Sequence, residues 1–415
     1  MSAGASVVTP ALAEAQADFA LNLLRNSGVE GSTIISPISI SIALAMVYLG
    51  AKNETANQIR SAIAKDASEE AVHAHFANIL DLIDSDSLNV TLESANKVYV
   101  QKDFQLLQTY IDGIKNHYKG QLESVDFGKA QETAQTINSF VEQATHDRIK
   151  DLIKPDILDG LTRLILVNAI YFKGTWADQF SEHRTEEADF YASPNSTSKV
   201  QMMAIEEKFP YYETDDYQVL GLPYTQNKVA MYIILPRERY GLNDLISKLN
   251  AQTLVQLLSK RGRTKVNVKL PKFKIESEFN LNDALKKIGI EEAFKQGSAD
   301  FSGITQEEGL YVSDVIHKAF IETDEKGSVA AAATAVQFED RSFSVDLFPG
   351  KKIVADHSFL FVNEKGSKAA AATAVATKTR SGRPKPKFVA ADHPFLYVIV
   401  AQDSANVLFA GKVAE

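Results

Sequence analysis

The residues best placed to take part in chemistry flank a repeat. Glu325–Val336 reads Glu-Lys-Gly-Ser-Val-Ala-Ala-Ala-Ala-Thr-Ala-Val, and Glu364–Val375 repeats it with Lys368 in place of Val329. Each copy continues through an unlike stretch to a matching apolar piece, Ala355–Val362 in the first and Ala391–Val398 in the second. Constant ends around a changing middle are how a scaffold presents alternative recognition loops. The chemistry expected is therefore recognition or inhibition at an exposed surface, not catalysis in a pocket.

Little else in the chain suits catalysis. There is no Gly-x-Ser-x-Gly elbow, no His-Glu-x-x-His pair and no phosphate-binding Gly-Lys-Ser/Thr loop. The absence of cysteine removes disulfides, thiolate metal sites and thiol nucleophiles together. His73 and His75 lack a third ligand and read as surface residues of a helix, so no metal and no cofactor is expected. The net charge of −9 argues against nucleic acid, whose phosphates demand a basic excess. No apolar run is long enough for a membrane span. Met1–Pro10 has neither a basic start nor an apolar core, which predicts no signal peptide and a cytoplasmic chain, extracellular only if a leader is missing. Asn53, Asn89 and Asn195 open glycosylation triplets, which are common by chance and sit against the missing leader.

The elements that must carry the repeat change character along the chain. Its 415 residues, 45% hydrophobic and 23% charged, are enough for a large core of ordinary globular composition. Ser36 before Pro37 is a helix start, with Ile38, Ile42, Ala45, Met46 and Leu49 at helical spacing and Gly50 at the end. Its remaining positions are also apolar, so this helix should be buried. Phe19, Leu23 and Leu24 mark an earlier helix, Phe76, Ile79, Leu80 and Ile83 a later one, and Thr136–Ile153 another. Strands then dominate. Leu164–Phe172 and Met231–Leu235 are continuous apolar runs expected to be covered on both faces. Lys265–Leu270 alternates, so one face of it should be wet, and Tyr311–Thr323 alternates again. Leu281–Ile288 reads as a short helix. Helices first and strands later predict an α+β fold, with no linker dividing the chain.

These residues, in this order, resemble the serpin family over nearly the whole chain. Ser36–Met46 with Leu49-Gly-Ala51 is similar to the family's second-helix pattern, and Leu166–Trp176 to its central strand. Leu222-Pro-Tyr224, Ile233–Pro236, Leu270–Lys274, Ala299–Gly303, His393-Pro-Phe395 and Phe409-Ala-Gly411 match further segments. Departures are few: Ser32 stands where Asn is usual, Phe140 where Trp is usual and Asp147 where Gly is usual. The resemblance implies a single serpin domain over 1–415, with helices packed on a large mixed sheet plus smaller sheets and an exposed reactive loop. Subtracting the 39-residue repeat interval leaves 376 residues, about one such domain. Residues 325–362 and 364–400 then read as two loop cassettes in series.

The resemblance further implies a monomeric protease inhibitor that is not an enzyme. Its loop is cut as bait, forms a covalent acyl complex with a trypsin-like serine protease and inserts as a new strand in the main sheet. Gly327, Ser328, Ala330, Ala332 and Thr334 would form the hinge, or Gly366, Ser367, Ala369, Ala371 and Thr373 in the second copy. On one face of an inserted strand these side chains are small and uncharged, so insertion buries no charge. Counting fourteen positions on from each glycine reaches Arg341 before Ser342 and Arg380 before Ser381. An Arg bait suits a protease whose specificity pocket holds a carboxylate. Phe338–Phe343 is acidic and aromatic whereas Thr377–Arg383 is basic, which predicts two specificities within one protease class. The first copy, directly after the Tyr311–Thr323 strand, is expected to insert, and the second to fill the C-terminal strand positions. The competing reading is a non-inhibitory carrier or chaperone, or a chain that is only a protease substrate because of its extra cassette. A charged or bulky Ser328 or Ala330 would have favoured it.

Overall fold

The structure is a computed structural model that describes residues 10–84, 88–260, 262–328 and 385–415. Helices lead and strands come after them. In chain order they are α1 (Pro10–Asn26), β1 (Thr33–Ile35), α2 (Pro37–Tyr48), α3 (Asn53–Ala64), α4 (Glu69–Asp84), β2 (Thr91–Gln101), α5 (Gln108–Tyr118), β3 (Leu122–Val125), α6 (Ala130–Ala144), β4 (Leu164–Thr175), β5 (Glu186–Ser193), β6 (Ser196–Glu213), β7 (Tyr217–Pro223), β8 (Val229–Pro236), α7 (Leu242–Lys248), α8 (Ala251–Ser259), β9 (Arg263–Pro271), β10 (Phe273–Asn280), α9 (Asn282–Lys287), β11 (Asp314–Thr323), β12 (Gly327–Ser328), β13 (Lys387–Ala390), β14 (Phe395–Ala401) and β15 (Asn406–Val413). One mixed sheet runs β10-β11-β12-β4-β2-β3. A second, antiparallel but for β13, runs β1-β15-β14-β8-β7-β6-β9-β13, with β5 on the side of β6.

Helix α2 is the hub between them. Every one of its residues is buried, and it packs on β2, β4 and β15. Ser36 caps it, its hydroxyl accepting the Ser39 amide at 3.4 Å. Gly50 comes next because a Cβ there would sit 2.3 Å from the Ile304 side chain. The β4 run is buried from Leu164 to Phe172, as a strand covered on both faces requires. β9 keeps the expected alternation.

Three expectations need correction. The helix expected over Thr136–Ile153 is α6, which starts earlier and stops at Ala144. Ile149 and Ile153 are still buried, but on the irregular segment beyond it. β11 is buried without a break from Val315 to Ala319, so the alternation read over Tyr311–Thr323 is not matched by its burial. His73 and His75 are not surface residues. They are 3% and 5% exposed.

The C-terminal strands come from the second copy. β13 pairs with β9, and β14 lies between β15 and β8. The reason lies just past the repeat: Ile399, Val400 and Ala401 are all buried. The first copy has Asn363-Glu364-Lys365 at the equivalent positions and would bury two charges there.

Candidate functional site: the hinge at the head of the mixed sheet

After Thr323 the chain turns and re-enters the mixed sheet as β12. Asp324 makes the turn, its Oδ1 accepting the amides of Lys326 at 2.8 Å and Gly327 at 3.1 Å. Trp176, one residue past β4, holds it from outside. Its indole donates to the Asp324 carbonyl at 3.0 Å and its amide to the Lys326 carbonyl at 2.9 Å. The Trp176 ring stacks on Tyr224 with centroids 4.5 Å apart. The Phe180 amide donates to the Glu325 carbonyl at 2.9 Å.

Glu325 is 5% exposed, and Lys272 at 2.8 Å and the Thr185 hydroxyl at 2.7 Å hold its carboxylate. Burial pushes that carboxyl up, but these two partners outweigh it and the net shift is downward. Gly327 has φ +155°, and a Cβ there would lie 2.0 Å from the Gly174 carbonyl oxygen. Only glycine fits so close an approach.

Ser328 is fully buried. Its hydroxyl meets that of Tyr224 at 2.7 Å and that of Thr323 at 3.3 Å. β12 is antiparallel to both neighbours, with Gly327 opposite Thr175 and Ser328 opposite both Gly174 and Thr323. Beyond Ser328 the sheet is closed. β11 and β4 pair directly, in parallel, from Asp314–Ile165 to Phe320–Tyr171.

Under that closed ladder lies a polar cluster. His317 is buried among Ser36, Ser39, Asn96 and Asn168. Its Nδ1–H donates to Asn168 Oδ1, and its Nε2 accepts the Ser36 amide at 3.1 Å, which fixes the neutral tautomer. Burial pulls its pKa down to about 3. Asn168 donates to Ser39 and Asn96, and Ser39 donates to Asn96 at 2.9 Å. No motif announces this network, although a polar Asn168 in an unbroken apolar run is its signal.

The far anchor of the loop is β13. Lys387 pairs with Glu213, whose carboxyl its own hydrogen bonds to Lys387, Tyr211 and Arg237 hold down at about 2. The Phe388 carbonyl accepts Gln218 Nε2 at 2.9 Å. Of the hinge residues expected from the sequence, Gly327 and Ser328 thus form β12. Ala330, Ala332, Thr334, Arg341, Ser342, Gly366, Ser367, Ala369, Ala371, Thr373, Arg380 and Ser381 lie outside the described residues. Asn53, Asn89 and Asn195 are all exposed; the amides of the first two donate to Asp300 at 2.7 Å and Gln226 at 2.6 Å.

The family model described as Serpin (serine protease inhibitor) matches residues 14–362 and again 352–415. Serpin B6 of Macaca fascicularis is 35% identical over 97% of this chain and 98% of its own length. Leukocyte elastase inhibitor of Equus caballus is 35% identical over 84% of this chain and 94% of its own. The crystal structure of Serpin48, described as a highly specific serpin of the insect Tenebrio molitor, superposes with a TM-score of 0.79 at 29% identity, covering 98% of each chain.

Proposed function

Because the chain belongs to the serpin family of serine protease inhibitors, we propose that it is a suicide substrate of trypsin-like serine proteases with Arg341–Ser342 as its productive bait bond. The protease serine attacks the Arg341 carbonyl carbon. An ester forms, and the Ser342 amine leaves with the proton. Deacylation by water would complete hydrolysis. Insertion of the freed strand, about 3.3 Å per residue over some fourteen residues, carries the ester on the order of 45 Å and distorts the protease first. The chain itself contributes no catalytic group.

The observation that carries this reading is the register of β12. Continuing it past Ser328 sets Ala330 opposite Ile321 and Phe172, Ala332 opposite Ala319 and Ile170, Thr334 opposite His317 and Asn168, and Val336 opposite Val315 and Leu166. All eight partners are buried. Small apolar residues then meet apolar partners, and the one threonine falls beside the polar cluster. Ten residues, Ser328–Gln337, match the ten of β11 end to end.

The two bonds differ once acylated. Arg341 is thirteen residues beyond Ser328, so insertion drags its ester immediately. Arg380 is 39 residues further on, and a protease acylated there has slack in which to deacylate. Trypsin mixed with freshly prepared protein tests this. An SDS-resistant complex with a released C-terminal peptide beginning at Ser342 is expected. Cleavage without a complex would reject inhibition, and a complex releasing a peptide that begins at Ser381 would reject the slack-chain assignment.

A further inference from the structure

Two lysines are buried among the described residues, Lys318 at 8% exposure and Lys412 at 7%. They are kept in opposite ways. The Lys318 ammonium stands 3.0 Å from Glu276 and 3.4 Å from Glu278, so its charge is answered twice. Lys412 sits on β15, a strand buried from end to end, between Thr33 of β1 and Leu396 of β14. Its Nζ donates to the Val29 carbonyl oxygen, and no carboxylate pairs with it among the described residues. An ammonium has three protons to place and here meets one neutral acceptor. A buried charge without a counter-ion favours the unprotonated amine. Burial does draw the Lys412 pKa below the usual lysine value, against a smaller opposing pull from Glu30.

The amine is not sealed in. Lys412 lines a cavity of about 350 Å³ that opens around the start of α7, beside exposed Tyr240 and Asn243. Ala192, Leu242, Pro394 and the Tyr240 ring give it apolar walls. That volume takes a single-ring organic molecule. Glu30 and Glu415, both exposed, line the same cavity and repel an anionic ligand such as a carboxylate or a phosphate. An unpaired amine, apolar walls and a negative rim together suit an uncharged carbonyl compound with a flat apolar body.

We propose that Lys412 is a covalent binding site for an uncharged aromatic aldehyde, held as an imine in this cavity. The unprotonated amine attacks the aldehyde carbon. The carbonyl oxygen takes up the two amine protons and leaves as water, and a carbon–nitrogen double bond remains. The bond reverses when water returns, with no oxidant or reductant in either direction. The site lies on the second sheet, apart from Glu325–Ser328, and does not depend on which bait bond is productive.

Benzaldehyde is the probe. The full chain is incubated with it near neutral pH beside cyanoborohydride, which reduces an imine to a stable benzylamine, and the modified amines are ranked by peptide mapping. Lys412 is expected to react about tenfold faster than any other amine of the chain, with a rate that saturates as benzaldehyde is raised. Lys412→Arg keeps a donor for the Val29 carbonyl but forms no imine, and should lose the fast reaction at an unchanged unfolding midpoint. Asn243→Trp crowds the cavity from an exposed position and leaves the amine in place. It should slow Lys412 modification about tenfold while surface lysines react as before. Labelling spread evenly over exposed lysines overturns the proposal. So does a Lys412 rate that climbs without saturating, or one that Asn243→Trp leaves unchanged. Should Lys412→Arg fail to fold, the Asn243→Trp comparison decides alone.

Discussion

The hydroxyls of Ser328 and Tyr224 lie 2.7 Å apart in a site closed to solvent. That contact seats Ser328, the last residue of β12, inside the mixed sheet. Tyr224 is held in turn by Trp176 on one side and by Phe172, at 5.1 Å between ring centroids, on the other. Ser328→Arg would force a guanidinium into this site. The expected result is a chain that trypsin cleaves at Arg341 at a normal rate while the complex-forming fraction falls at least tenfold, read as the ratio of complex to cleaved product on denaturing gels.

Gly327→Ala tests the close approach to β4. The added methyl meets the Gly174 carbonyl oxygen and the Thr175 Cα, so the backbone must move. A loss of roughly 1–3 kcal/mol is expected for strain at such a position. Urea unfolding should report it, with slower trapping of trypsin in stopped-flow assays.

Lys272→Ala removes the cation at 2.8 Å from Glu325. Lys272 is partly exposed, so the loss is discounted to about 1–2 kcal/mol, less than for a wholly buried pair. Glu325→Gln with Lys272→Ala should recover part of that loss in a double-mutant cycle, because no unpaired charge is left behind. If the double variant is less stable than Lys272→Ala alone, the pairing argument fails.

Three buried histidines set the acid limb of stability. Burial brings His73 and His75 down to about 4 and His317 down to about 3, against roughly 6.5 in the unfolded chain. Between those values the unfolded chain binds more protons than the folded one. Stability is therefore full above about pH 6.5 and is lost as pH falls toward 4, by about 1.4 kcal/mol per pH unit for each such histidine. The His75 Nε2 has no hydrogen-bond partner. His75→Phe should therefore flatten the slope between pH 6 and 4.5, measured by urea unfolding across that range.

Asp147 has φ +61° on the segment after α6, where the family resemblance leads one to expect glycine. Asp147→Gly should gain about 0.5–1 kcal/mol, because aspartate tolerates this backbone region less well than glycine does. Thermal unfolding checks it.

Much of the fold is legible in the residues. Helical spacing and a capping Ser36-Pro37 locate α2, and the unbroken Leu164–Phe172 run locates β4. The start of the first repeat, Gly327 and Ser328, is also where the chain re-enters the mixed sheet as β12. Longer-range facts are not legible. Lys272, Thr185, Trp176 and Tyr224 converge on Glu325–Ser328 from distant elements, and no local pattern encodes that meeting. His73 and His75 mislead because their polarity suggests a wet face. The helix turns both inward, where His73 Nδ1 pairs with the Tyr118 hydroxyl at 2.6 Å and packs on the ring of Tyr48. Thr136–Ile153 reads as one helix because burial persists past Ala144, and periodicity cannot separate a buried helix from a buried irregular segment.

The most direct test of the account is the mass of the peptide released when freshly prepared chain meets trypsin, read beside a denaturing gel. A complex that survives SDS, with a peptide running from Ser342 to Glu415, is the predicted result. Complete cleavage at Arg341 with free, active trypsin and no complex would contradict it.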